Sequence, residues 1–108
     1  MKVYLAGPMT GHPHLNHPAF HDAAARLRAH GIEVINPAEI VKHHGTPWAE
    51  CMRRDIPELV GCEAIVLLPR WDASRGAKLE CTIATSLGMR AWLYRLDEHG
   101  AAVLQQYR

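Results

Sequence analysis

The sequence lacks any excess of charge of one sign: twelve Lys and Arg stand against eleven Asp and Glu, a formal +1. That balance excludes the electrostatic grip with which proteins hold nucleic-acid polymers or anionic membranes, so any phosphate the chain binds is bound locally. Cysteine is scarce as well. Cys51, Cys62 and Cys81 are odd in number and show no CxxC spacing, which fits neither a disulfide framework nor a cysteine-rich zinc site. They read as small core residues in a reducing compartment. The longest uninterrupted apolar run extends only from Ala64 to Pro69, far short of the roughly 20 residues of a membrane helix, and the amino end lacks the apolar stretch of a signal peptide. A cytoplasmic protein without a membrane partner is expected. Repeats and low-complexity tracts are also missing, which excludes a solenoid or an array.

What remains is 108 residues, 48% apolar and 21% charged, the composition of an ordinary globular domain spanning residues 1–108. A chain of this size buries roughly two-thirds of the surface it exposes when unfolded, which allows a core but little depth for an enclosed pocket. A homodimer or higher homo-oligomer, with a neighbouring subunit supplying walls to the site, is therefore expected.

Short apolar runs alternate with segments of helical period. Val3 to Ala6 reads as a strand stopped by Gly7-Pro8, and Pro18 to His30 as a helix with Phe20, Ala23, Ala24 and Leu27 on one face, ending at Gly31. Ile32 to Ile35 is a second strand before Asn36-Pro37. From Trp48 a helix carries Trp48, Met52, Ile56 and Leu59 on one side up to Gly61, with Pro57 expected to kink or delay it. Ala64 to Leu68 is apolar on both faces, as in a central parallel strand. A helix from about Gly76 to Leu87 ending at Gly88, a strand from Ala91 to Tyr94 and a last helix near Glu98 to Gln106 complete a βαβαβαβα order. This pattern predicts an α/β three-layer sandwich, flavodoxin-like or Rossmann-like, with a parallel sheet of four to five strands. Ligands of such sheets sit at the carboxyl ends of the strands, which nominates the loops Gly7 to His17, Asn36 to Pro47 and Pro69 to Arg75.

Two carboxylates fall where a core should be. Glu80 lies four after Gly76, three before Ile83 and four before Ala84, on the side of its helix that should face the sheet, where an unused charge is costly. It reads either as a chemical group or as a boundary residue set favourably against the helix dipole. Asp55, three after Met52 and four before Leu59, reads either as its partner or as one half of an ion pair with Arg53, Arg54 or a neighbouring helix. Two inward acids flanking one strand suit chemistry that needs a nucleophile and a group handling the leaving group.

Trp71-Asp72-Ala73-Ser74-Arg75-Gly76 has the make-up of an anion site at a helix amino end, although Ser74 also suits a plain N-cap. Gly7, Pro8, Met9, Thr10 and Gly11 form a second loop where backbone can approach a ligand, without a GxGxxG fingerprint or a GK[ST] motif. Trp71 is placed to stack on a base or to pack at a rim, and Tyr4 is most simply core with its hydroxyl able to reach the pocket. His12, His14, His17, His21 and His43-His44 are crowded, but no carboxylate completes a metal motif, so neither a metal nor any other cofactor is expected.

With these residues in view, the sequence resembles the nucleoside 2-deoxyribosyltransferase superfamily. Within it the likeness is to the small 2'-deoxynucleoside 5'-phosphate N-hydrolases and to a bacterial and phage domain-of-unknown-function branch. The matching pieces are VYLAGPMTG, RRDIPELVGCEAIVLLP and SRGAKLECTIATSLG, in that order between Val3 and Gly88, with the Ser74-to-Glu80 interval the most specific. The resemblance implies that Glu80 is the nucleophile attacking the anomeric carbon and that Asp55 stands near the base and leaving group. It further implies that Tyr4 orients the nucleophile, that Ser74 binds a 5'-phosphate, and that Gly7 belongs to the loop after the first strand. The chain departs from the pattern in two places. Pro8-Met9-Thr10 stands where the hydrolases carry a phosphate-binding arginine, leaving Arg75 or an arginine from another subunit as substitutes. The aspartate ahead of the nucleophile in the transferases is matched only loosely by Asp72, with Ser74 and Gly76.

The expected function is an N-glycosidase acting on a nucleoside 5'-monophosphate. The nearest rival is a base-exchanging deoxyribosyltransferase. A non-catalytic nucleotide sensor is the rival of a different class, since fold alone does not set function.

Overall fold

The computed structural model describes residues 1–40 and 45–107. Along the chain these form β1 (Lys2–Ala6), α1 (His17–Ala29), β2 (Glu33–Ile35), α2 (Trp48–Val60), β3 (Ala64–Leu67), α3 (Arg75–Ser86), β4 (Arg90–Leu96) and β5 (Ala102–Gln106), with short 3-10 turns at Pro13–Asn16, Pro37–Glu39 and Trp71–Ala73. The sheet order is β2-β1-β3-β4-β5. β1 pairs in parallel with both β2 and β3, β3 pairs in parallel with β4, and β5 runs antiparallel to β4.

The period of two along β1 decides what lies on each face of the sheet. Val3 and Leu5 point to one side, where they pack with Phe20, Ala23, Ala24 and Leu27 of α1. Tyr4 and Ala6 point to the other, onto Leu59 of α2 and onto Ala77, Cys81 and Ala84 of α3. Helices thus cover both faces, and burying each large apolar side chain contributes on the order of 1.5–3 kcal/mol. β3 is buried at all four positions between β1 and β4, as its unbroken apolar run requires. No described helix is long and apolar enough to cross a membrane.

Glycines end the helices where expected. At the end of α1, Gly31 sits at φ +81 while the N–H of Ile32 reaches back to the carbonyl of Leu27, a left-handed stop that a side chain would strain. α2 runs through Pro57 to Val60 rather than breaking there. Pro57 lies on the exposed face, where water can satisfy the carbonyl its missing N–H leaves unbonded.

The expected last helix is instead the strand β5, and with it the sheet departs from all-parallel pairing. A local turn is responsible. Asp97 Oδ1 accepts from the backbone N–H of His99 at 2.8 Å and of Ala101 at 2.9 Å, and Gly100 takes φ +79. This aspartate-to-glycine turn folds the chain straight back, and the antiparallel register it sets, from Leu96 opposite Ala102 to Trp92 opposite Gln106, outweighs any helical preference in the last segment.

Candidate active site

The carboxyl ends of β1 and β3 open into a cleft of about 780 Å³, within the size range of small-molecule sites. A single chain therefore forms a roomy cleft, more than its length leads one to expect. All three nominated loops contribute. The loop after β1 supplies Gly7 to His12, the segment before α2 supplies Pro37, Gly45 and Thr46, and the loop after β3 supplies Ala73, Ser74 and Arg75. His43 and His44 lie outside the described residues.

Tyr4, Asp55 and Glu80 meet on the floor. They come from β1, α2 and α3, and each lines the cleft. Tyr4 is fully buried and Asp55 and Glu80 are each 4% exposed, so both acids face inward and Glu80 is not a residue at the boundary of its helix's buried face. The Tyr4 hydroxyl donates a hydrogen bond to Glu80 Oε2. Burial above all, and then the charges of Glu80 and Asp55, hold the Tyr4 hydroxyl well above its ordinary pKa of 10.0. Tyr4 is therefore a neutral donor throughout the physiological range, and it fixes the orientation of the Glu80 carboxylate. Arg54, one of the partners weighed for Asp55, has its Nη2 2.7 Å from Glu50 Oε1.

At the amino end of α3, Ser74 Oγ accepts from the Ala77 N–H at 3.2 Å and so caps the helix. Its own O–H stays available as a donor toward the cleft, so the cap and binding readings of this serine are compatible. Arg75 Cζ sits 3.7 Å from the centroid of the Trp48 ring, a cation–π stack. Gly76 is buried, and a Cβ there would stand 3.1 Å from Met52 Cε and 3.4 Å from Trp48 Nε1. Its smallness serves the approach of α2 to α3. Gly7 does the same job for β1, because a Cβ there would stand 2.9 Å from Leu68 Cβ and 3.3 Å from Phe20 Cζ.

Pro8, Met9 and Thr10 line the cleft as expected. Asn16 Nδ2 donates to the Pro8 carbonyl at 2.9 Å and closes this loop on itself, while His14, Leu15 and Asn16 all take positive φ, a left-handed run that is costly for residues other than glycine. Trp71 and Asp72 are set apart from the rest. They occupy the turn Trp71–Ala73 outside the cleft lining, and the Trp71 ring meets Tyr107 edge to face with centroids 5.5 Å apart. Trp71 thus packs against Tyr107, as the rim reading of this residue has it.

Sequence reasoning missed Trp48, Cys51 and Met52 as cleft residues. The helical repeat placed Trp48 and Met52 correctly on the inward face of α2, but an inward face can border a cleft as readily as a core. Cys62 and Cys81 are buried, as expected of core cysteines, whereas Cys51 is only partly buried. His12 and His17 reach the cleft, and the rings of His17 and His21 are 6.0 Å apart. Among the described residues no three His, Cys, Asp or Glu are grouped to hold a metal ion.

Residues 1–92 match a family described as a domain of unknown function, DUF4406. The chain belongs to the DUF4406 family. The match ends within β4, so every cleft residue named above lies inside the DUF4406 domain, while β5 lies beyond the matched span. No curated protein matches the chain significantly.

Proposed function

We propose that this DUF4406 protein cleaves the N-glycosidic bond of a nucleoside 5'-monophosphate, preferably the 2'-deoxy form, with Glu80 as nucleophile. The observation that carries the reading is the buried Tyr4 hydroxyl donating to Glu80 in a cleft that Asp55 also lines. Two buried carboxylates cost stability that a purely structural site has no reason to incur. The likeness of the Ser74-to-Glu80 segment to the 2-deoxyribosyltransferase superfamily points the same way. So does the 2-1-3-4-5 strand order, which we read as flavodoxin-like with a reversed last strand.

In this mechanism the bond from the anomeric carbon to the base breaks as the Glu80 carboxylate closes on that carbon, through an oxocarbenium-like transition state. Asp55 hands a proton to the departing base. Water then displaces Glu80, its hydroxyl going to the sugar and its proton to Asp55, so both acids return to their starting forms. Ser74 and Glu80 are six residues apart at the start of α3, about 9 Å along the axis. The helix thus sets a phosphate-sized anion at one end of the sugar and the nucleophile at the other.

A panel of nucleoside 5'-monophosphates assayed for released base tests the proposal. Glu80→Ala should abolish release. An intact protein that cleaves no member, or an alanine variant that cleaves as well as the parent, would sink it. Adding a second free base separates hydrolase from transferase, because only the latter makes a new nucleoside. Tight binding without turnover would replace the enzyme with a sensor.

We also propose a homo-oligomer. Val60, Leu87 and Leu96 are exposed apolar side chains that a partner copy would cover. A 12.1 kDa species at micromolar concentration in sedimentation would contradict this.

A further inference from the structure

We infer that Trp48 is a positioning residue which, by holding Arg75, makes the cleft select a phosphorylated substrate over its unphosphorylated parent. The inference rests on the proposed nucleotide chemistry and names the device behind its phosphate preference. Arg75 is the only lysine or arginine among the described residues lining the cleft. Arg26, Arg28 and Arg54 are committed to Asp22, Glu39 and Glu50, whereas Arg75 makes no ion pair among the described residues. Its guanidinium lies on the Trp48 ring instead.

Stacking uses the face of the guanidinium and leaves the N–H donors around its edge pointing outward, in the geometry that matches phosphate oxygens. It also restricts a long, rotamer-rich side chain, so less freedom is lost when an anion binds. Trp48 lies against the start of α3, its Nε1 3.4 Å from where a Cβ on Gly76 would stand, and the indole N–H has no hydrogen-bond partner among the described residues. With Arg75 on one ring face, that face cannot serve as a platform for a base.

Electrostatics gives the arrangement a purpose. The Glu80 carboxylate on the floor repels a phosphate, and a cation at the start of α3, five residues before Glu80, draws the phosphate to the far end of the cleft. Pro8-Met9-Thr10 in the loop after β1 supplies no cation, so the task falls to Arg75.

The test is titration of the full chain with inorganic phosphate, followed by NMR at the Trp48 indole N–H and the Arg75 Nε–H, in the parent, Arg75→Gln, Trp48→Leu, Trp48→Phe and the Trp48→Leu/Arg75→Gln double variant. Both signals should move in the parent. Arg75→Gln should weaken phosphate binding roughly 10- to 100-fold, as loss of a charge-assisted contact does. Trp48→Leu should weaken it about 3- to 10-fold, with Trp48→Phe restoring most of that. In the Arg75→Gln background, Trp48→Leu should add nothing. Absence of phosphate binding overturns the inference. So does an additive double variant, or a Trp48→Leu protein that is folded and binds like the parent. Phosphate binding with this pattern but no release of base from any nucleotide would instead retire the glycosidase and leave the Trp48–Arg75 device standing.

Discussion

Tyr4, the third residue of an inner strand, donates its hydroxyl to Glu80, 76 positions later in the chain, and both side chains are buried. The bond ties the inner strand β1 to the helix α3 packed over it. It also holds one carboxylate in a fixed pose at the cleft floor.

Tyr4→Phe keeps the ring and removes only the donor. Because the acceptor is a buried acid, stability should fall by about 1–3 kcal/mol, read as a lower urea midpoint with unchanged slope. Base release should slow about tenfold or more through kcat, since the nucleophile loses its orientation. Unchanged kcat would mean that the tyrosine serves the fold alone.

Alkaline pH should destabilise the protein, and Tyr4 should account for part of the loss. Its pKa is raised on folding, so the unfolded chain gives up this proton near pH 10 while the folded one keeps it. Stability is then full below about pH 10 and declines as pH rises beyond it. Burial raises Tyr94 and Cys62 as well, so the decline begins near 9 and has several contributors. Urea unfolding from pH 8 to 11 should show a shallower decline for Tyr4→Phe than for the parent. Identical slopes would contradict the assignment.

Asp55→Asn should cut base release by about 10²- to 10⁴-fold, the usual worth of a general acid. The loss should shrink for substrates whose leaving base is intrinsically more acidic, because such bases need no proton. A loss equal for all leaving groups would place Asp55 in binding rather than in proton transfer.

Gly7→Ala and Gly76→Ala should differ. At Gly7 the new methyl meets Leu68 Cβ, which is anchored to backbone, and the rigid Phe20 ring, so a cost of about 1–3 kcal/mol is expected. At Gly76 the nearest atom is the mobile end of Met52, and the better helix propensity of alanine offsets much of the crowding, leaving a change within about 1 kcal/mol. Thermal unfolding of the two variants side by side decides the order.

Much of this protein was legible in local pattern. The apolar run Ala64 to Leu68 marked the central strand, which the structure forms over Ala64–Leu67, Phe20 to Leu27 marked the buried face of α1, and Gly31 and Gly88, both at positive φ, marked helix ends. These features depend on neighbours within one or two turns, which the sequence states directly. The helical repeat likewise placed Asp55 and Glu80 inward. The exception among the elements is the segment after Tyr94, where the apolar residues of Ala101 to Leu104 suit a helix or a strand, and the Asp97–Gly100 turn chose the strand.

Which polar groups meet was decided only by the tertiary structure. Whether an inward acid is half of an ion pair, a cap or part of a reactive site depends on what the next element brings to it. Here the crossovers set α2 and α3 over the face of β1 that carries Tyr4, gathering three residues from three separate segments. The same packing laid Arg75 on Trp48 and sent Trp71 to Tyr107 instead of the cleft. Periodicity records which side of an element is buried; partners within that burial are fixed by helix approach, and Gly7 and Gly76 set how close that approach can be.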